Sequence, residues 1–233
     1  LSLSGAPTWA QLAPAGTPPG ARYAHQALYD PVRDRMVVFG GRTPAGVFFN
    51  DVWSLSLGEA PAWSQLTPTG TPPGARSLHS AIYDAVRDRM VVFGGYNGSY
   101  LNDCWALSLS GTPAWAQLAP TGTPPSVRCG HNAILDPARD HMVVFGGGGP
   151  TNLADAWSLA LGDTPAWTQL TPAGTPPPAR YLHGAIRDPA RDRMVVFGGL
   201  GTTYLSDTWA LALADTPVWA RLFPVGEPPG ARR

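Results

Sequence analysis

One heptapeptide recurs four times along the chain and constrains its architecture more than any other feature. It reads RMVVFGG, with His in place of the first Arg in the third copy, and it begins at residues 35, 89, 141 and 193. The phenylalanines of successive copies are 54, 52 and 52 residues apart, at Phe39, Phe93, Phe145 and Phe197. A period near fifty residues is typical of solenoids and propellers, in which each unit is completed by its neighbours.

Each repeat reads as four short β-strands, which we call a, b, c and d. In residues 23–76, YAHQALYD alternates polar and apolar residues, RMVVFGG is a short apolar run, DVWSLSLG alternates again, and AWSQLTP follows a turn. The two glycines that end strand b indicate backbone conformations barred to residues with a Cβ. Strand d is expected to be outermost, because the paired prolines of the following TGTPPGAR cannot donate to a strand ladder.

Four such units without helical periodicity predict an all-β fold, a β-propeller with four four-stranded antiparallel blades. We expect one domain over residues 1–233. Its repeat cores, which hold strands a, b and the start of c, are residues 23–54, 77–106, 129–158 and 181–210. The tryptophans of the recurring DxW motif should be buried between blades, because one sheet alone cannot cover them. They are Trp53, Trp105, Trp157 and Trp209.

The repeat resembles the kelch repeat in the variant with an NDxW third strand. The resemblance rests on the Gly-Gly after an apolar strand, on NDVW, NDCW, ADAW and SDTW, and on a second Trp ten residues later. It implies a kelch-type propeller, related to the central domain of galactose oxidase. Kelch repeats often carry Tyr or Phe just after the centre of the third strand, where this chain has Leu.

Composition argues against several classes of partner. All sixteen basic residues are Arg, they balance sixteen acidic residues, and no block of one sign occurs, so we expect no nucleic acid partner. No apolar run is long enough for a membrane span, and the first residues lack the basic and apolar regions of a signal peptide. We therefore expect a soluble chain of unknown compartment. Cys104 and Cys129 are expected to be unpaired, and we predict no cofactor, metal or catalytic residue.

The direction of the strands assigns the connections to two faces. The d–a and b–c connections share one face, here called the loop face, and the a–b and c–d turns share the other. At the end of each d–a connection an Arg and a His recur near the expected channel mouth: Arg22, Arg76, Arg128, Arg180, His25, His79, His131 and His183. The arginines could form a ring that binds a small carboxylate or phosphate. We favour the alternative that each Arg pairs with the recurrent Asp and each His bonds backbone, because groups present in every blade serve the blade.

The b–c loops differ most between repeats and therefore carry the candidates for specific binding. Their aromatic and amide side chains are Phe48, Phe49, Tyr96, Asn97, Tyr100 and Tyr204. Variable loops on a rigid scaffold commonly bind ligands. The same aromatic residues could instead tuck under the loops as caps.

These features lead to three hypotheses on function. The first is a non-catalytic kelch-repeat scaffold that binds a protein, peptide or glycan through the loop face. The second is an enzyme, or part of one, that acts on a small anionic or sugar substrate in the channel. The third is an amplified or constructed array without an evolved ligand.

The sequence also bears on how the ring of blades closes. There are four repeat cores but five units that hold the end of strand c and strand d. They are residues 1–22, 55–76, 107–128, 159–180 and 211–232, so one outer-strand unit is surplus. The first and the last compete for one position in the last blade. We expect either self-association into a dimer with eight blades or a strained four-bladed monomer with one terminal copy displaced. A slice of a longer array is the third possibility.

Overall fold

The computed structural model describes residues 6–226, which form sixteen β-strands in four sheets of four. Blade 1 contains β1 Gln26–Asp30, β2 Arg35–Phe39, β3 Val52–Ser56 and β4 Trp63–Leu66. Blade 2 contains β5 Ser80–Asp84, β6 Arg89–Tyr96, β7 Tyr100–Ser108 and β8 Ala114–Leu118. Blade 3 contains β9 Asn132–Asp136, β10 His141–Gly148, β11 Asn152–Ala160 and β12 Ala166–Leu170. Blade 4 contains β13 Gly184–Asp188, β14 Arg193–Leu200, β15 Tyr204–Ala212 and β16 Val218–Leu222.

The strand order within each blade is the predicted one. Neighbouring strands pair antiparallel in chain order, with strand a innermost and strand d at the outer edge. The inner strands of consecutive blades contact each other, β1 with β5, β5 with β9 and β9 with β13. The protein is therefore a β-propeller with four four-stranded blades, as the repeat predicted.

Blades pack face to face through one recurring aromatic contact. The strand-b Phe93 of blade 2 lies between two rings of blade 3, with its centroid 5.2 Å from His131 and 4.8 Å from Trp167. Phe39 makes the same contact with blade 2, and Phe145 makes it with blade 4. Each contact sits in a cluster of buried residues, so three hydrophobic cores join the four blades.

The glycine pair after strand b allows two close approaches of backbone. At Gly94 (φ +62°) an added Cβ would lie 2.9 Å from the carbonyl oxygen of Arg128 in the next blade. At Gly95 (φ +110°) it would lie 2.8 Å from the carbonyl oxygen of Ser77 in the same blade. Glycine is required at both positions, because a side chain would separate the blade from its neighbour and from its own entry segment.

The DxW tryptophans are buried in those blades that have a preceding blade. Trp105, Trp157 and Trp209 are 8–9% exposed, as predicted. Trp53 is only partly buried. In blades 2, 3 and 4 this Trp belongs to the core shared with the preceding blade, and blade 1 has no preceding blade among residues 6–226.

The two competing terminal copies behave differently. Residues 211–222 fill the outer position of blade 4, where β16 pairs with β15. Of the N-terminal copy, residues 6–22 run beside blade 1, where Ala15 bridges to Ala62, while Trp9 is 84% exposed. The rest of that copy, residues 1–5, lies outside the described residues. No hydrophobic cluster among residues 6–226 joins blade 4 to blade 1.

We predict that Trp157→Ala lowers the free energy of unfolding by about 3–5 kcal/mol, the range for truncating a large core aromatic side chain. In the monomeric chain Trp53→Ala should cost clearly less, because no preceding blade covers its ring. Urea unfolding of both variants followed by circular dichroism measures the difference. Equal losses would contradict the assignment of each Trp to the core shared with the preceding blade.

Candidate functional site

The d–a connections and the b–c loops lie on one face of the propeller, as predicted. In blade 1 the d–a connection pairs with the b–c loop, since the amides of Tyr23 and Arg42 each donate to the other's carbonyl oxygen at 3.0 and 2.9 Å. On the opposite face the amide of Leu57 donates to the carbonyl oxygen of Asp34, which joins the c–d and a–b turns. The loop face therefore collects the most variable segments of the chain.

The recurrent arginines are held inside their own blades. The Arg128 side chain is fully buried, and its Nη1 and Nη2 donate to the Asp155 carboxylate at 2.9 and 2.8 Å. Nε donates to the carbonyl oxygen of Ser126, and Nη1 also donates to that of Gly146. The other copies pair in the same way, Arg22 with Asp51, Arg76 with Asp103 and Arg180 with Asp207. This is the structural role favoured from the sequence, and anion binding by this set stays a prediction.

Each of these aspartates is held ionised by two donors. Burial alone would raise the pKa of Asp155, but hydrogen bonds from Arg128 and from the Trp157 indole, the latter at 2.6 Å, outweigh it and the pKa is lowered. The same pair of donors acts on Asp51, Asp103 and Asp207. The carboxylate thus ties the d–a connection to strand c and fixes the position of the loop face.

We expect Asp155→Ala to lower the free energy of unfolding by about 3–5 kcal/mol, because it leaves Arg128 buried without its counter-charge. The double variant Arg128→Met/Asp155→Leu should lose less, since no uncompensated charge remains. Asp163→Ala, in an exposed turn, serves as a control and should change little. Chemical denaturation measures all three. A double variant less stable than Asp155→Ala would argue against the buried ion pair as the cause.

A cavity of about 560 Å³ opens at the channel mouth on the loop face, where the inner strands begin. All four blades contribute to its wall: Tyr23, Ala24, Gln26, Arg42, Leu78, His79, Gly130, His131, Asn132, Leu182 and His183. The backbones of the four blades meet here, because Leu78, Gly130 and Leu182 each donate an amide to the preceding blade. Ala24, Leu78 and Leu182 adopt positive φ angles of 56–57° to make this junction.

The histidines of blades 2, 3 and 4 are buried in this wall and are neutral. Burial, followed by the charge of the adjacent Arg76 or Arg180, lowers the pKa of His79 and of His183 to about 3. His131 is shifted in the same direction, and its Nε2 lies 2.9 Å from the Ser80 hydroxyl. Within residues 6–226 the ring nitrogens of His79 and His183 have no hydrogen-bond partner. The backbone bonds expected for these two rings are therefore not made, and packing against the Phe of the preceding blade holds them.

These histidines should make the protein sensitive to mild acid. The unfolded chain binds a proton on each near pH 6.5, whereas the folded chain does not until about pH 3, so stability is lost as pH falls through that window. Between pH 6.5 and 5 the loss is about 2 kcal/mol for each histidine. We expect His183→Gln to reduce the drop in urea midpoint between pH 7 and pH 5. His141→Gln, at the first residue of β10 near the other face, is the matched control, and equal drops in both variants would contradict the assignment.

An aromatic patch lies beside the cavity on the b–c loops of blades 1 and 2. Its centre is Tyr96, whose ring centroid lies 6.0 Å from Phe48 and 5.4 Å from Tyr100. Arg42, which bridges to Phe48 in the loop, places its guanidinium 5.0 Å above the Tyr23 ring at the cavity wall. Tyr23 and Tyr100 are 44% and 37% exposed. We define these five residues as the aromatic patch.

The remaining b–c candidates lie outside this patch. Phe49 is covered by Arg22, whose guanidinium is 4.0 Å from the ring centroid, so Phe49 caps its blade. Asn97 is exposed and accepts the Ser99 amide in the loop turn. Tyr204 is 52% exposed on blade 4. Sequence reasoning missed Arg42 and Tyr23, although the first b–c loop is the only one that starts with an Arg after Gly-Gly.

Three further observations bear on chemistry. Cys104 and Cys129 are buried and unpaired, and burial raises the pKa of the Cys104 thiol to about 12. Residues 6–226 contain no group of three or more His, Cys, Asp or Glu placed to hold a metal ion. The same residues contain no helix of the length and apolarity that a membrane span requires.

Fold and site together define a β-propeller with a variable loop face around its channel mouth. The family model of the KLHDC2/KLHL20/DRC7 Kelch-repeats domain matches residues 5–186. The chain therefore belongs to the kelch-repeat family, as the resemblance of its NDxW strands implied.

Relatives and a solved structure agree with this assignment. Adagio-like protein 3 of Oryza sativa subsp. japonica is 34% identical over 98% of this chain and 38% of that protein. Rab9 effector protein with kelch motifs of Xenopus laevis is 31% identical over 88% of this chain and 57% of that protein. The chain thus spans less than two thirds of the length of both relatives. The structure titled "Structure of YjhT" has a TM-score of 0.66 at 15% identity, over 92% of this chain and 69% of that chain, which is a likeness in fold.

Proposed function

We propose that the chain is a non-catalytic scaffold that binds a protein or peptide on its loop face, centred on the aromatic patch. The observation that carries the proposal is the continuity of the patch with the channel-mouth cavity. Phe48, Tyr96 and Tyr100 form one surface across blades 1 and 2, and Tyr23 extends it to the cavity wall. Exposed Tyr rings beside an Arg are the side chains that contribute most to binding energy at protein interfaces.

The division between constant and variable residues supports a binding role for this face. Arg, Asp and His recur in every blade and are engaged within or between blades, as with Arg128 and Asp155. The aromatic patch lies in blades 1 and 2, so it distinguishes these blades from blades 3 and 4 and offers a partner one orientation on each chain. The cavity next to it is lined by neutral imidazoles, apolar side chains and Arg42, a mixture that can receive the side chain of a bound peptide.

The Xenopus relative supports a protein partner in general terms. Its name describes it as an effector of Rab9. For the chain described here we infer only the kind of partner, a protein or peptide segment, and the face that receives it.

The proposal predicts that binders depend on the aromatic patch. A phage-displayed library of random peptides selected on the intact chain should yield peptides whose affinity falls about 10- to 100-fold for Tyr96→Ala or Tyr100→Ala, the loss expected for an interface hot spot. Fluorescence polarisation with the selected peptides measures the change. Val86→Ala, at a 77% exposed apolar residue of blade 2 on the opposite face, is the control and should bind normally. Selected peptides that bind both tyrosine variants as tightly as the parent chain would refute the aromatic patch as the site.

A further inference from the structure

The three interfaces between blades repeat the same chemistry. Each places the strand-b Phe of one blade between the His and the Trp of the next, as Phe39 lies 5.1 Å from His79 and 4.9 Å from Trp115. Each also joins an a–b turn Arg to an Asp of the next blade. These ion pairs are Arg33–Asp88 at 2.6 Å, Arg87–Asp140 at 2.6 Å and Arg139–Asp192 at 2.8 Å. We call the strand-b Phe the knob and the space between the His and the Trp of the next blade the socket. At each interface, one blade therefore contributes the knob and the Arg cation, and the next blade contributes the socket and the Asp anion.

The outward face of blade 4 presents the same knob and cation with no neighbouring blade among residues 6–226. Ile186 is 65% exposed, whereas its equivalents Ile82 and Ile134 are 5% and 6% exposed. Phe197, the counterpart of Phe39, is only partly buried. The Arg191 side chain, the counterpart of Arg33, is 67% exposed and within residues 6–226 pairs only with Asp188 of its own blade.

The outward face of blade 1 presents the matching socket and the anion. A cavity of about 320 Å³ opens there, walled by His25, Met36, Val38 and Trp63 together with residues 18–22. These four side chains are the counterparts of His79, Met90, Val92 and Trp115, which surround Phe39 in the core between blades 1 and 2. Asp34, the counterpart of Asp88, is exposed and accepts the Tyr29 hydroxyl, but makes no ion pair within residues 6–226.

We propose that these two faces bind each other between two copies of this chain. Phe197 of one copy enters the cavity beside His25 and Trp63 of the other, and Arg191 pairs with Asp34. Within one chain, backbone amides link Leu78 to Ala24, Gly130 to Leu78 and Leu182 to Gly130. In the proposed pair of chains, this row of hydrogen bonds continues across the junction between the two copies.

Two copies form a closed ring of eight blades, with both junctions alike. Propellers typically contain four to eight blades, and three chains would supply twelve. A ring of two also leaves no outward blade face uncovered, whereas an open head-to-tail contact would continue as a filament.

The first measurement is the mass of the intact chain in solution. Sedimentation velocity and light scattering should show twice 24.6 kDa at micromolar concentration. Phe197→Ala should weaken the association by roughly tenfold or more, the effect of truncating an interface hot spot, without unfolding the blade, because Phe197 is partly exposed. Trp9→Ser, at the most exposed Trp of the described residues, is the matched control and should remain dimeric.

Charge reversal tests the pairing of the faces directly. Asp34→Arg and Arg191→Asp should each weaken association, because each homodimer then meets like charges at both junctions. An equimolar mixture of the two variants should recover the dimer, since one junction keeps the native pair and the other has the reversed pair. A monomeric parent chain, an association that Trp9→Ser disrupts and Phe197→Ala does not, or a mixture that stays as weak as its components would overturn the proposal. Species larger than two chains would overturn the eight-bladed ring.

Discussion

The insertion of a strand-b Phe between the His and Trp of the next blade is the contact on which this structure depends. It recurs with Phe–Trp centroid distances of 4.9, 4.8 and 4.8 Å at the three interfaces. A four-stranded blade has two apolar faces and cannot bury either of them alone. Trp105 is buried because blade 1 precedes its blade, whereas Trp53 is only partly buried because no blade precedes blade 1 among residues 6–226. Stability therefore resides between blades as much as within them.

This contact also restricts where function can arise. The space between blades is filled by Phe, His and Trp, and the Arg–Asp pairs anchor the d–a connections with both partners satisfied. Recurrent polar residues are consequently committed to holding blades in place. The b–c loops, which leave the blades on the loop face, differ most between repeats, and there Tyr96 and Phe48 make an aromatic contact that has no equivalent among the described residues of blades 3 and 4.

Much of the fold could be predicted because repetition fixes the register of every strand. Proline pairs marked the outer edge, and alternation placed the loops on the correct face. The amphipathic pattern of strand c was less informative, because Ser158 and Leu159 of blade 3 point to opposite faces and both are buried where blades flank the strand on each side. Alternation of polar and apolar residues in strand c suggests that one face of the strand is exposed to solvent. The neighbouring blades bury both faces.

The site was harder to predict than the fold. Phe48 and Phe49 are adjacent and alike in sequence, yet one lies in the aromatic patch and the other under Arg22. The contribution of Arg42 requires the bend of its loop onto Tyr23, which leaves no periodic signal. Hydrogen bonds from the histidines to backbone looked plausible from residue type, but the Phe ring and the glycine backbone of the preceding blade enclose the imidazoles.

The sameness of the three interfaces has a consequence for how such a protein can change over generations. Every blade carries the same knob on one face and the same socket on the other, so any blade is a suitable neighbour for any other. Recombination between repeats that gained or lost one whole unit would join surfaces that already fit, and the size of the ring could change without new contacts having to arise. In such a lineage the blade, and not the complete propeller, is the unit that is inherited.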